Sequence, residues 1–131
     1  MRLFIEGTSS RPTVLFDLEK RFLRIDGMSS MPDSAKFYTN LWGWLLSHRA
    51  HIVPGTRLVL RLLYLNSGTH KALYQFFSEI KRGNLPVVIT LIRAARYDNS
   101  EETELLSQIC RQVGLSYTIQ DEAEMPSGPE P

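Results

Sequence analysis

The stretch that most limits what this chain can become is LVLRLLYLNSGTHKALYQFF, residues 58–77. Its opening run, 58–65, carries a single charge, Arg61. That run is far shorter than the ~20 apolar residues a bilayer span needs. It is also too apolar for an exposed strand, and it predicts a strand buried on much of both faces, as in the middle of a parallel sheet. At Asn66, Ser67, Gly68 and Thr69 the chemistry changes to turn and helix-cap residues. Ala72, Leu73, Phe76, Phe77 and Ile80 then fall on one stripe of a helix. A buried strand thus runs through a hydroxyl-rich turn into an amphipathic helix. Open α/β sheets meet ligands and partners at the carboxyl ends of such strands, so the hydroxyls of Ser67 and Thr69 stand where function concentrates.

The flanking sequence supplies partners for this unit. Residues 2–6, 13–17 and 22–26 read as short strands, the last two forming a hairpin that Gly27 ends, with a loop over 28–32. Pro32, Asp33 and Ser34 open a helix over 34–49, with Phe37, Leu41, Trp44, Leu45 and His48 on its stripe and Tyr38 and Trp42 beside it. Gly43 in its interior suggests close packing on the sheet. The helix after Thr69 ends at Lys81, Arg82 and Gly83, where the cations suit the dipole and the glycine a left-handed cap. Residues 86–92 are a β-branched strand. A third helix, opened by Asp98, Asn99, Ser100, Glu101 and Glu102, buries Leu105, Leu106, Ile109, Cys110 and Val113 and is capped by Gly114. A last strand spans 115–120. The order is β-β-β-α-β-α-β-α-β, an α/β fold with a mixed sheet whose later crossovers require parallel pairing. Leu58, Leu60, Leu62 and Tyr64 share one face of the central strand, whereas the other face admits Arg61, and in the next strand Thr90. The helices are therefore expected mainly on one face. Residues 1–121 read as one domain and 122–131, rich in acid, proline and glycine, as a disordered tail.

Composition excludes several function classes. Net charge is +1, without the basic footprint of a nucleic-acid binder. One cysteine rules out an internal disulfide. Neither a signal peptide nor a membrane span is legible, and the expectation is a soluble cytoplasmic protein. His48 and His51 lack a third ligand nearby in sequence, Cys110 lies on an apolar stripe, and Asp98, Glu101, Glu102 and Glu104 are accounted for by a helix N-terminus. No phosphate-loop or dinucleotide motif is present. No catalytic residue, metal or cofactor is expected, although Asp98, Glu101 or Glu102 would serve a small hydrolase.

That leaves residues 66–71. Spacing alone favours a helix cap, with Ser67 or Thr69 accepting a backbone N–H. The same residues suit a phosphate, because free N–H groups, the positive dipole end, His70 and Lys71 all favour an anion. The phosphate could belong to a bound nucleotide or be attached to the hydroxyl itself.

Four segments in register carry a resemblance. Ile5-Glu6-Gly7-Thr8 with Pro12, Val14, Phe16 and Asp17 is similar to I-x-G-T…P-x-V-x-F-D. Leu23-Arg24-Ile25-Asp26-Gly27 resembles L-x-I-x-G. Pro32-Asp33-Ser34-Ala35 with Phe37-Tyr38 resembles P-E-N-A/S-x-x-F-Y. Leu63-Tyr64-Leu65-Asn66-Ser67 with Lys71-Ala72-Leu73 resembles Y-L/F-N-T/S-S-S-x-K-A-L/M. These are patterns of the SiaC family of bacterial regulatory phosphoproteins, whose fold is similar to STAS domains such as the anti-sigma-factor antagonists. The resemblance implies a single STAS-like domain and a non-enzymatic partner switch. In it a cognate serine/threonine kinase phosphorylates the hydroxyl residue after the asparagine, a metal-dependent phosphatase removes the phosphate, and the unmodified form binds and activates a diguanylate cyclase. The position carried over is Ser67, with Thr69 as the alternative acceptor and Leu65, Asn66, Gly68, Thr69, His70 and Lys71 as the partner surface. The chain departs from the pattern in having Ser at the acceptor and Gly68 in place of a hydroxyl residue. A STAS-type protein with another target, or an unmodified phosphate- or nucleotide-binding module, are the competing expectations.

Overall fold

The short early strands and the near-continuous apolar runs of the later ones resolve into one sheet. The structure, a computed structural model, describes residues 1–124. Its strands are β1 (Arg2–Ile5), β2 (Thr13–Asp17), β3 (Phe22–Ser29), β4 (Thr56–Leu65), β5 (Val87–Arg93) and β6 (Tyr117–Asp121). Its helices are α1 (Ser34–Ser47), α2 (Ser67–Arg82) and α3 (Ser100–Val113), with short 3-10 turns at Arg49–His51 and Glu122–Glu124. The element order is the expected one. The six strands lie side by side in chain order. β1, β2 and β3 pair antiparallel, and β3 to β6 pair parallel. The turns leaving β1, β3, β4 and β5 therefore gather at one end of the sheet.

All three helices lie on one face. Leu41 and Leu45 of α1, Leu73, Phe76 and Phe77 of α2, and Leu106 and Ile109 of α3 join Phe16, Leu23, Leu60, Leu62 and Ile89 in a single core. Tyr38 is 1% exposed and belongs to that core rather than beside it. Burial of this apolar surface is the main term holding the helices to the sheet, at roughly 25 cal/mol per Å².

Several local expectations are corrected. β3 does not end at Gly27 but runs through it to Ser29. Gly27 has φ 121°, a conformation that glycine adopts without a Cβ penalty. Opposite it the ladder slips: Gly27 pairs with Leu62, yet Met28 pairs with Tyr64, so Leu63 is one extra residue in β4. Side-chain parity reverses there. Leu62 and Leu65 both enter the helix-side core, while Tyr64 is 42% exposed instead of sharing a face with Leu62. Gly43 is exposed, and an added Cβ would meet nothing within 4 Å beyond its own helix, so no close packing explains it. The left-handed residue after α2 is Asn84 (φ 52°), not Gly83 (φ −77°). Asn84 N–H donates to Lys81 O and Leu85 N–H to Ile80 O, the paired bonds of a Schellman end.

Of the expected tail, Glu122–Glu124 form a 3-10 turn, and 125–131 lie outside the described residues. Among the described residues no helix is long and apolar enough to cross a membrane.

Candidate functional site

β4 delivers the chain to the start of α2 with Leu65 anchored in the core at 7% exposure. The cap is neither Ser67 nor Thr69 but Asn66, in extended conformation (φ −90°, ψ 177°). Its Oδ1 accepts the Thr69 N–H at 2.8 Å, and its own N–H donates to Ser29 O at 3.2 Å. The sequence left the cap open because Asn, Ser and Thr all cap well. The backbone decides, and it gives Asn66 the non-helical station.

With the cap at Asn66, the next three residues are forced into different surroundings. Ser67 and Gly68 are exposed. Thr69 turns inward, fully buried, and sits at the centre of a hydroxyl cluster. Its Oγ1 donates to Ser29 O at 2.8 Å, and lies 2.8 Å from Ser29 Oγ and 2.9 Å from Ser34 Oγ. Ser34 Oγ donates to Met31 O at 2.9 Å, and Ser29 Oγ lies 3.0 Å from the Tyr38 hydroxyl. Burial pushes the Tyr38 phenol well above its ordinary range, so it stays neutral. Tyr38, Ser29, Thr69 and Ser34 bring four hydroxyl protons to these five close contacts, so one contact always lacks a proton. The cluster ties the end of β3 and the starts of α1 and α2 to one another.

The structure buries two residues of the expected surface. Thr69 is fully buried, its hydroxyl enclosed by Ser29 and Ser34. Leu65 is likewise buried, at 7% exposure. Asn66 and His70 are half-buried, and Ser67, Gly68 and Lys71 are exposed at the helix start. The first turn of α2 contains no acid. A negative group on Ser67 would therefore meet the positive end of the helix dipole, with Lys71 one turn on. The void at Gly68 is open enough for a side chain: an added Cβ would come no closer than 3.6 Å to Asn66 Oδ1.

The other candidates have structural roles. Cys110 is buried at the α3 face, and burial pushes its thiol up to about 12. His48 Nδ1 lies 2.7 Å from Trp44 O, its ring against that indole. Glu104 pairs with Arg111 at 3.1 Å, which holds its carboxyl below the usual range. Ser29, Ser34 and Tyr38 were not read from sequence as companions of Thr69, since nothing local links residues 35 and 40 positions apart. The burial of Thr69 did have a signal: it lies on the helical stripe of Leu73, Phe76 and Ile80.

The domain is an α/β fold that presents one exposed serine at the acid-free start of α2. Comparison with known proteins gives the family. Residues 5–117 match the SiaC family regulatory phosphoproteins, and the chain belongs to that family. It is similar to the crystal structure of apo-SiaC from Pseudomonas aeruginosa (27% identity over 92% of this chain and 98% of that one, TM-score 0.71). It is equally similar to a chain in the structure of the diguanylate cyclase SiaD in complex with its activator SiaC from the same organism (27% identity, 92% and 99% coverage, TM-score 0.73). No curated protein matches the chain.

Proposed function

We propose that this SiaC-family phosphoprotein is a non-enzymatic switch whose unmodified form docks on and activates a diguanylate cyclase, and that phosphorylation of Ser67 turns it off. The observation that carries the reading is the split between adjacent hydroxyls: Ser67 is exposed at the first position of α2, while Thr69 is fully buried. Membership of a phosphoprotein family and the likeness to a SiaC that activates a cyclase supply the partner class. A cytoplasmic serine/threonine kinase writes the mark and a metal-dependent phosphatase erases it.

The physics of the off state follows from position. A phosphate adds about −1.5 to −2 charges. At the start of α2 the dipole contributes roughly 0.3–1 kcal/mol in its favour, so the domain stays folded. The effect falls on the surface made by Asn66, Ser67, Gly68, His70 and Lys71. A neutral hydroxyl is buried against a partner at modest cost, whereas a dianion without a cationic partner costs several kcal/mol. Since ~1.4 kcal/mol is a tenfold change, affinity falls by orders of magnitude.

The test treats the protein with its cognate kinase, verifies a single added phosphate by intact mass, and measures binding to the cognate cyclase beside thermal melts. Ser67→Ala is expected to bind and to ignore the kinase, and Ser67→Asp to weaken binding less than the phosphate does. Phosphorylated protein that binds as tightly as unmodified protein, or that unfolds, overturns the reading.

A further inference from the structure

The sheet face opposite the helices carries a second, unassigned feature. Strand register sets Phe4, Leu15, Arg24, Val59 and Thr90 in one row across five strands of that face. Phe22, Val59 and Ile92 form a small apolar cluster there, apart from the main core. The charges on either side of the row are internally matched. Arg2 pairs with Asp17 at 3.6 Å, and Arg61 pairs with Asp26 and, at 3.0 Å, with Glu122. Arg24 is the exception. Its guanidinium lies over the Phe22 ring at 5.9 Å, but it has no ion-pair partner among the described residues. Its Nε is sealed from water with no hydrogen-bond acceptor. A buried donor without an acceptor is unfavourable, and a guanidinium stacked on an aromatic ring is preorganised for a planar, two-oxygen acceptor. Exposed apolar side chains stand to both sides, Phe4 on β1 (44%) and Val88 on β5 (49%).

We propose that this face is a docking surface for a protein partner, occupied by a segment that carries a carboxylate between apolar side chains, with Arg24 as its anchor. Charge complementarity selects the acid, and Phe4 and Val88 select its apolar neighbours. A free inorganic anion would leave those two side chains uncovered. A second copy of the chain is a poor occupant, because a two-fold contact centred on this row would set one Arg24 against the other. The surface lies on the far side of the sheet from α2, so a partner seated here leaves the start of that helix free.

The experiment titrates isotope-labelled full-length protein with the peptide Ac-Leu-Glu-Phe-Glu-Val-NH2 and with its Glu→Gln counterpart, reading backbone amide shifts and calorimetric affinity. The acidic peptide is expected to move amides of Phe22, Arg24, Val59 and Val88 and to leave those of α2 in place. Arg24→Gln should weaken it about tenfold or more, the range lost with a hydrogen bond to a charged group. Arg24→Lys, which keeps the charge but not the fork, should lose an intermediate amount. Thermal melts show whether Arg24→Gln is folded, and if it is not, the Arg24→Lys and Gln-peptide comparisons decide. Acidic and Gln peptides that bind alike, or shifts outside this face, overturn the proposal. Two further results overturn it in favour of other occupants: Arg24 resonances that move in the Glu130→Gln full-length variant assign the chain's own acidic end, and shifts that grow with protein concentration assign a second copy.

Discussion

The starts of α2 and α3 use the same words for different purposes. Each follows a parallel strand, each has Asn at the cap position, and each has Ser first in the helix: Asn66-Ser67 and Asn99-Ser100. At α3 both residues are wired into the scaffold. Asn99 is 2% exposed, donates to Leu62 O at 2.9 Å and Ile92 O at 3.0 Å, and accepts from Ala94 N–H at 2.9 Å. It holds β4 and β5 together where they diverge. Ser100 Oγ donates to Asp98 Oδ1 at 2.6 Å, and Glu101 and Glu102 already occupy the positive end of the dipole. At α2 the asparagine is half-buried, capping through Oδ1 with its Nδ2 donating to Met31 O at 3.4 Å, the serine is exposed, and the first turn has no acid. One helix start is saturated with negative charge by its own sequence. The other is left able to receive it.

The largest expected effect separates the two asparagines. Asn99→Ala strips three hydrogen bonds from a buried site and should cost about 3 kcal/mol in denaturant unfolding. Asn66→Ala loses a cap and should cost about 1 kcal/mol. Equal losses would mean the two starts are built alike. Next come the hydroxyls of α2. Thr69→Val removes the centre of the buried cluster and should cost about 2 kcal/mol, while Ser67→Ala should stay within about 0.5 kcal/mol. A smaller contrast tests the charge argument itself: Ser100→Glu, beside Asp98, Glu101 and Glu102, should melt about 4 °C below Ser67→Glu. If Ser67→Glu melts lower, the start of α2 is not the more receptive of the two. The subtlest contrast is a pH titration followed by amide shifts. The Ser100 hydroxyl, and then its N–H, hold Asp98 below the usual carboxylate range. A depressed carboxylate keeps its contact above the ordinary range and loses it as pH falls through the lowered value. The Ser100 amide should therefore shift in strong acid, and the amides of Gly68 and Thr69 should not follow it.

The order of elements was legible because each run advertises its own character: short runs bounded by turn residues in β1 to β3, an apolar block in β4, stripes in α2 and α3. Even the core trio of Leu60, Phe76 and Ile109 could be chosen from those stripes. What stayed hidden depends on a neighbour. The slip at Leu63 is a property of the β3–β4 pair, so the sequence of β4 alone put Tyr64 on the wrong face. The cap and the left-handed residue were misplaced by one or more positions, at Asn66 and Asn84, because several residue types suit either role and only the backbone path selects one. Thr69 shows the reverse error. Its stripe was visible, but a hydroxyl beside a turn reads as surface until two other hydroxyls are brought to it.

Leu63 lies in β4, before the start of α2, yet its unpaired position decides which way that start is aimed. A strand alternates with a period of two, so if Leu63 paired regularly with Met28, without the slip, β4 would exchange its inner and outer faces from Tyr64 onward. Leu65 would point away from the helices, and the chain would leave the sheet from the opposite side, carrying Ser67 with it. The direction in which Ser67 is displayed is thus a matter of counting: a ladder that took up Leu63 without the slip would misdirect it while every residue of the site kept its identity.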